Sequence, residues 1–186
     1  LQNSTYPVGV GEQVDVAKGY HKLLHGREKD RILPRDFCGP ASFTLELKNI
    51  QPLEESGENS IPNILTNYTV TDKADGTRKL LFINAKGKIY FIVTTGDIEF
   101  TGMVTENSKL FNTIIDGEHI LHDKNGGFFN TYAAFDIYYL AGKSLRELSF
   151  VPLKATEEPN KFRLPLLSDI IKELLKSVKM ISGKDI

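Results

Sequence analysis

The 186 residues predict an α+β fold, with an antiparallel, β-rich middle flanked by a helix towards each end. Three observations carry this. Short β-branched and aromatic runs between residues 68 and 140 are separated by tight-turn dipeptides. Apolar residues recur at helical spacing near both ends of the chain. Strands and helices are segregated rather than alternating, which separates α+β from a doubly wound α/β sheet.

In chain order, residues 1–13 read as a tail without periodicity. Val14, Ala17, Tyr20 and Leu24 form a loose helical stripe, ended at Gly26 and followed by a charged stretch. Pro34, Gly39 and Pro40 punctuate a loop. Phe43, Leu45 and Leu47 alternate with polar residues, and a half-buried strand is expected over 43–50. Residues 51–63 hold prolines and glutamates with few large apolar groups, as a linker does. Tyr68–Thr71 and Arg78–Ile83 are β-like, and Ile89–Thr94 reads as a central strand. Ile98–Gly102, Thr113–Leu121 and Tyr132–Leu140 follow, with turn signals at Gly87, Gly96 and Asn125-Gly126-Gly127. After Pro165, Leu166, Leu167, Ile170, Ile171, Leu174, Leu175 and Val178 form the stripe of an amphipathic helix.

Composition narrows the function classes. Hydrophobic residues at 40% and charged residues at 25% exclude wholesale disorder. A net charge of -1 removes any argument from a basic chain to nucleic acid, although a local basic groove remains compatible. The lone Cys38 excludes an internal disulfide and a cysteine-cluster zinc site. No apolar run approaches the ~20 residues of a membrane span, so no membrane partner is expected. Residues 51–150 carry 9 basic and 13 acidic side chains, a net charge of -4 that suits a divalent cation beside a phosphate substrate and equally a solvated surface. The chain starts at Leu1 rather than Met and reads as a piece of a longer protein.

The chemistry concentrates in Lys73-Ala74-Asp75-Gly76-Thr77-Arg78, between two β-like runs. Asp75-Gly76 supplies a tight turn open to positive φ. That leaves Lys73 at a strand end and Arg78 across the turn. A guanidinium nearby biases a lysine towards its neutral, nucleophilic amine and neutralises phosphate charge. The bland alternative is a solvated hairpin turn. Two further segments weigh against it: Asp116-Gly117-Glu118 between apolar runs, and Phe135-Asp136 within Tyr132–Tyr139. His119 and His122, three apart on a strand, are expected on opposite faces, and no joint metal site is expected from them.

K-x-D-G-x-R, then D-G-E, then an aromatic-plus-Asp strand resembles motifs I, III and IIIa of the covalent nucleotidyltransferase superfamily, which holds mRNA capping guanylyltransferases and ATP-dependent DNA and RNA ligases. Val70–Ile83, Ile115–Ile120 and Tyr132–Tyr139 look most like the capping enzymes of large DNA viruses, and Leu33–Phe37 is similar to their lead-in. The resemblance covers roughly 14–150. Thr71, two before Lys73, is where ligases often carry an adenine-reading acid; here the acid is Asp72, next to the lysine, which favours guanylyltransferase.

The resemblance implies an ATP-grasp-like nucleotidyltransferase domain with flanking helices, truncated at its C-terminus. In it Lys73 attacks the α-phosphate of GTP with Mg2+ or Mn2+ assisting, and GMP passes from lysine to the 5' diphosphate end of RNA. Arg78 would contact ribose or phosphate, and Glu118 the ribose hydroxyls or the metal. Phe135 would stack on guanine. Asp72 would join the nucleotide-binding residues, and Asp75, Gly76, Asp116, Gly117 and Asp136 would support the motifs. Fused or associated RNA triphosphatase and cap methyltransferase domains, and a cytoplasmic viral factory or virion location, are implied in the same way.

Some features depart from the family pattern. The later E-G-x-x-x-K and K-x-K strands and the OB-fold are missing, Lys172 and Lys176 fall on the predicted helix, and no arginine lies between Arg78 and Arg146. Residues 14–186 are therefore expected to be a partial guanylyltransferase domain, inactive alone. The rivals are a ligase adenylylation domain and a non-catalytic nucleotide- or RNA-binding module.

Overall fold

In the computed structural model the described residues are 5–52, 63–66, 68–154 and 156–181. They fall into two units, one from Leu1–Gly39 and Ala74–Ile186, the other Pro40–Lys73.

The larger unit is a seven-stranded sheet between two helices, an α+β arrangement. Helix α1 spans Val10–His25. The strands are β1 (Thr77–Ile83), β2 (Lys88–Val93), β3 (Ile98–Thr105), β4 (Thr113–His122), β5 (Phe128–Leu140), β6 (Lys143–Ser144) and β7 (Val178–Met180). Helix α2, Arg163–Ser177, runs directly into β7. The order across the sheet is β6-β5-β4-β1-β2-β3-β7, and every pairing is antiparallel. The middle strand is thus β1, with β2, the expected centre, beside it.

Burial explains β1. Successive side chains leave a strand on opposite faces. Leu80 and Phe82 pack with Ile92, Ile114 and the α1 residues Val16, Ala17 and Tyr20. Leu81 and Ile83 pack on the other face with Ile89, Ile115 and the α2 residues Leu167 and Leu174. A strand covered on both sides reads as an unbroken apolar run, which is what residues 80–83 show.

The α1 helix begins at Val10, four residues before the expected stripe, and the chain is ordered into the fold from Tyr6. Tyr6 bridges Phe100 through two backbone hydrogen bonds of 2.7 and 3.1 Å. Val8 is buried, and the Gln13 side chain donates to its carbonyl at 2.8 Å. The expected tail of 1–13 is therefore too long. Val10 is itself exposed, so no apolar stripe marks the first turn. Gly26 ends the helix in the left-handed region, φ 67°, and donates to Lys22. At the other end Pro165 lies inside the first turn of α2, where its missing N–H costs nothing. No helix among the described residues is long and apolar enough to cross a membrane.

Glu12 ties α1 to β2. It accepts from Lys88 Nζ at 2.8 Å and from the Tyr90 hydroxyl at 2.6 Å. The Lys88 hydrogen bond, with that of Tyr90, holds its carboxyl below the usual value. A depressed carboxyl contributes stability above its unfolded pKa of about 4.3 and loses it as pH falls through the folded value. Glu12→Gln is expected to flatten the decline in urea midpoint below about pH 4.3, with little change in slope above it.

The smaller unit corrects two expectations. Residues 43–50 are not a strand. Phe43, Leu45 and Leu47 are 66, 52 and 67% exposed, and Leu47–Asn49 is a 3-10 turn in which Asn49 accepts from the Glu46 N–H at 2.8 Å. Tyr68–Thr71 is likewise outside every strand. Both runs instead line one apolar groove of about 530 Å³, with Phe43, Leu45, Tyr68 and Val70 on its walls. Alternation specifies a strand only where a neighbouring strand supplies the ladder. Most of the expected linker, 53–62, lies outside the described residues.

Candidate active site

The β1–β4 ladder is regular from Thr77↔His119 to Ile83↔Thr113, so alternation holds along both strands. Arg78, two residues before Leu80, therefore shares the α1 face with Asp116 and Glu118, two and four residues after Ile114. Arg78 stands directly opposite Glu118.

Asp116 is fully buried and its charge is paired. It accepts from Arg78 Nε at 3.1 Å and Nη2 at 2.6 Å, a two-pronged arrangement, and from the Tyr138 hydroxyl at 2.6 Å. Burial, then the Asp116 charge, pushes the Tyr138 phenol up, so that it keeps the proton it donates. The hydrogen bonds from Arg78 to Asp116 raise the guanidinium further above its ordinary value.

Two bulges in β5 build this cluster. Ile114 pairs Tyr139 and Ile115 pairs Ile137, which leaves Tyr138 as an extra residue. Asp116 pairs Asp136 and Gly117 pairs Ala134, which leaves Phe135 as another. A bulged residue leaves the alternation and is re-aimed. Phe135 is 36% exposed, with its ring 5.9 Å from the Arg78 guanidinium carbon. The Phe37 ring lies over the same guanidinium at 5.2 Å.

The structure sorts the expected residues. Arg78, Asp116, Glu118 and Phe135 are brought together at the top of β1, β4 and β5. Glu118 is half-buried and makes no hydrogen bond or ion pair among the described residues. Asp136 is turned elsewhere: it accepts from Arg163 Nε at 2.8 Å and Nη2 at 3.1 Å, and so fastens β5 to the start of α2. Lys73 closes the smaller unit and is exposed; β1 begins only at Thr77, so the lysine is not at a strand end. Asp72 and Asp75 lie in the same unladdered approach to β1.

Gly76 also differs from expectation. Its φ is not positive. Glycine is required for space instead: a Cβ there would meet the His119 carbonyl oxygen at 2.5 Å. Gly117 is confined similarly, with a Cβ reaching Tyr132 Cζ at 2.5 Å and the Ala133 carbonyl oxygen at 2.7 Å. His119 is buried and bonds Asn130 at 2.9 Å, whereas His122 is exposed. Cys38 is partly buried, and burial pushes its thiol up to about 12, which makes it a poor nucleophile. Sequence reasoning did not single out Tyr138: its place depends on a bulge that no local pattern announces.

The profile described as mRNA capping enzyme, catalytic domain, matches residues 8–156. The chain belongs to that family. The mRNA-capping enzyme of Danio rerio is 29% identical over 120 residues, which cover 61% of this chain and 18% of that protein. A protein of Acanthamoeba polyphaga mimivirus named "Probable mRNA-capping enzyme" is 27% identical over 147 residues, covering 78% of this chain and 11% of its own. The capping-enzyme segment described here thus spans 18% and 11% of the lengths of these two relatives. Among solved structures, mycobacterial DNA ligase D complexed with ATP and MES is 17% identical with a TM-score of 0.32, covering 60% of this chain and 38% of that one.

Proposed function

We propose that this domain carries the guanylyl-transfer chemistry of an mRNA capping enzyme, with Lys73 as the nucleophile. The observation that carries the reading is the family match over 8–156 together with the clustering of Arg78, Asp116, Glu118 and Phe135 on one end of the sheet. In the first step the neutral Lys73 Nζ attacks the α-phosphorus of GTP. A P–N bond forms, the bond to the bridging oxygen breaks, and pyrophosphate leaves with the electron pair while the amine gives up a proton. In the second step a terminal oxygen of the RNA 5' diphosphate attacks the same phosphorus, and Lys73 is released and takes a proton back. Splitting the transfer in this way divides one high barrier into two lower ones.

The chain's own residues supply position and charge. Arg78, held by Asp116, places a fixed cation towards ribose or phosphate. Phe135 offers an open aromatic face to the guanine. A divalent cation fits Glu118, whose carboxylate is uncommitted among the described residues, better than Asp116, which is spent on Arg78 and Tyr138. When bound, Mg2+ neutralises the charge that builds up on the phosphate oxygens.

The test is covalent labelling of the longest natural chain that carries these residues, with Mg2+ and α-labelled GTP or ATP, and Lys73→Ala as the blank. Acid-stable label from GTP that the blank lacks is the expected result. Label from ATP alone would make the protein an adenylylating ligase. No label on a folded protein would leave a binding module.

A further inference from the structure

We infer that Phe37 and Gly39 are positioning residues that latch the Arg78 guanidinium in place for the nucleotide; this rests on the guanylyltransferase reading above. The Asp116 carboxylate fixes one edge of the guanidinium. Its central carbon lies over the rings of Phe37 and Phe135, 5.2 and 5.9 Å from their centroids. Phe37 is not on the sheet, and its place depends on how the segment after α1 is tied down.

That segment is fastened on both sides of Phe37 by one side chain. The Tyr20 hydroxyl of α1 donates to the Asp36 carbonyl at 2.8 Å and accepts from the Cys38 N–H at 3.0 Å. Tyr20 is fully buried, so the tie is shielded from water. Upstream, the Asp36 carboxylate accepts from the Leu33 N–H at 3.0 Å and from Lys29 at 3.2 Å. Downstream, the backbone lies so close at Gly39 that a Cβ would be 2.5 Å from Arg78 Nη2, 2.8 Å from Asp116 Oδ2 and 2.8 Å from Phe37 Cε1. The guanidinium is therefore held at one edge by charge, lies over two rings and has the Gly39 backbone close beside its Nη2. Such restraint lowers the cost of ordering the side chain when a nucleotide binds. A long side chain anchored only at one carboxylate would keep more freedom.

The experiment compares Phe37→Leu, Phe37→Tyr and Gly39→Ala with the unaltered protein by two readouts. The first is the Arg78 Nε–H resonance in a nitrogen–proton correlation spectrum, assigned with Arg78→Lys, which needs no activity. The latch predicts a sharp, exchange-protected signal in the unaltered protein and in Phe37→Tyr, and a broadened, faster-exchanging one in Phe37→Leu and Gly39→Ala. The second is the GTP concentration dependence of lysyl labelling. Phe37→Leu is expected to raise the apparent KM about three- to tenfold, in line with loss of a cation–π contact, with the labelling rate at saturation nearly unchanged and Phe37→Tyr restoring it. In the Arg78→Lys background Phe37→Leu is expected to add little, since both act through one group. An unchanged Arg78 resonance in Phe37→Leu overturns the latch whether or not the protein labels. A changed resonance with an unchanged KM, or an equal cost of Phe37→Leu with and without Arg78, overturns its link to the nucleotide. Failure of the longest natural chain that carries these residues to take label from GTP refutes the guanylyltransferase reading and with it that link, while the resonance still decides the latch itself.

Discussion

Asp116→Ala is expected to lower the stability of the folded domain by about 3–5 kcal/mol, the usual cost of removing one partner of a buried ion pair. The carboxylate is wholly out of water and is the acceptor for three donors: two from Arg78 and one from Tyr138. Its removal takes two hydrogen bonds from a guanidinium whose side chain is only 24% exposed. It also leaves the Tyr138 hydroxyl without its acceptor. Asp116→Asn keeps the shape but turns amide N–H groups towards the Arg78 donors, so it should recover only part of the loss. Urea unfolding at neutral pH measures this, and lysyl labelling from GTP should disappear in both variants. A loss under about 1 kcal/mol would be the size of a surface pair. It would mean that water takes over the carboxylate's role and that the cluster is not rigid.

The second large effect concerns the other motif carboxylate. Asp136→Ala and Arg163→Ala are each expected to cost about 2–3 kcal/mol, below the fully buried figure because both side chains keep some contact with water. Arg163 grips Asp136 with two N–H groups, donates a third to the Leu148 carbonyl, and lies over the Phe150 ring at 5.6 Å. Backbone bonds from Arg163 to Ser149 and from Leu164 to Phe150, at 3.0 and 2.9 Å, hold the same junction. The two variants should therefore be strongly coupled, with the double variant at least about 1 kcal/mol better than the sum of the singles. Label formed per folded molecule should survive in Asp136→Ala. If instead labelling vanished while stability stayed unchanged, Asp136 would belong to the site and not to the strut.

These two carboxylates show where reading the sequence stops. Both stood in motif-like segments, and only their partners separate them. Asp116 faces Arg78 because the regular β1–β4 register places them on one side of the sheet. Asp136 faces Arg163 because α2 starts beside β5, a contact between residues 27 apart in the chain. Phe135 was legible as a motif residue, but its exposure follows from a bulge opposite Asp116 and Gly117. Tyr138 and Phe37 joined the cluster through a second bulge and through the Tyr20 tie. Residues 43–50 and 68–71 failed as strands because an alternating pattern is local, whereas a ladder needs a neighbour.

By itself the sequence determined the α+β class, the main strands from Arg78 to Leu140, the amphipathic second helix and the order of the motifs that mark the capping enzyme family. All of these follow from short-range terms: side-chain periodicity, turn chemistry and residue type at close spacing. Only the tertiary structure decided which motif residues gather at the site, that Gly76 is needed for space beside the His119 carbonyl and not for its φ, and that Asp136 braces a helix. Those outcomes depend on strand register and on close approaches between residues distant in sequence, where packing in three dimensions sets the energy.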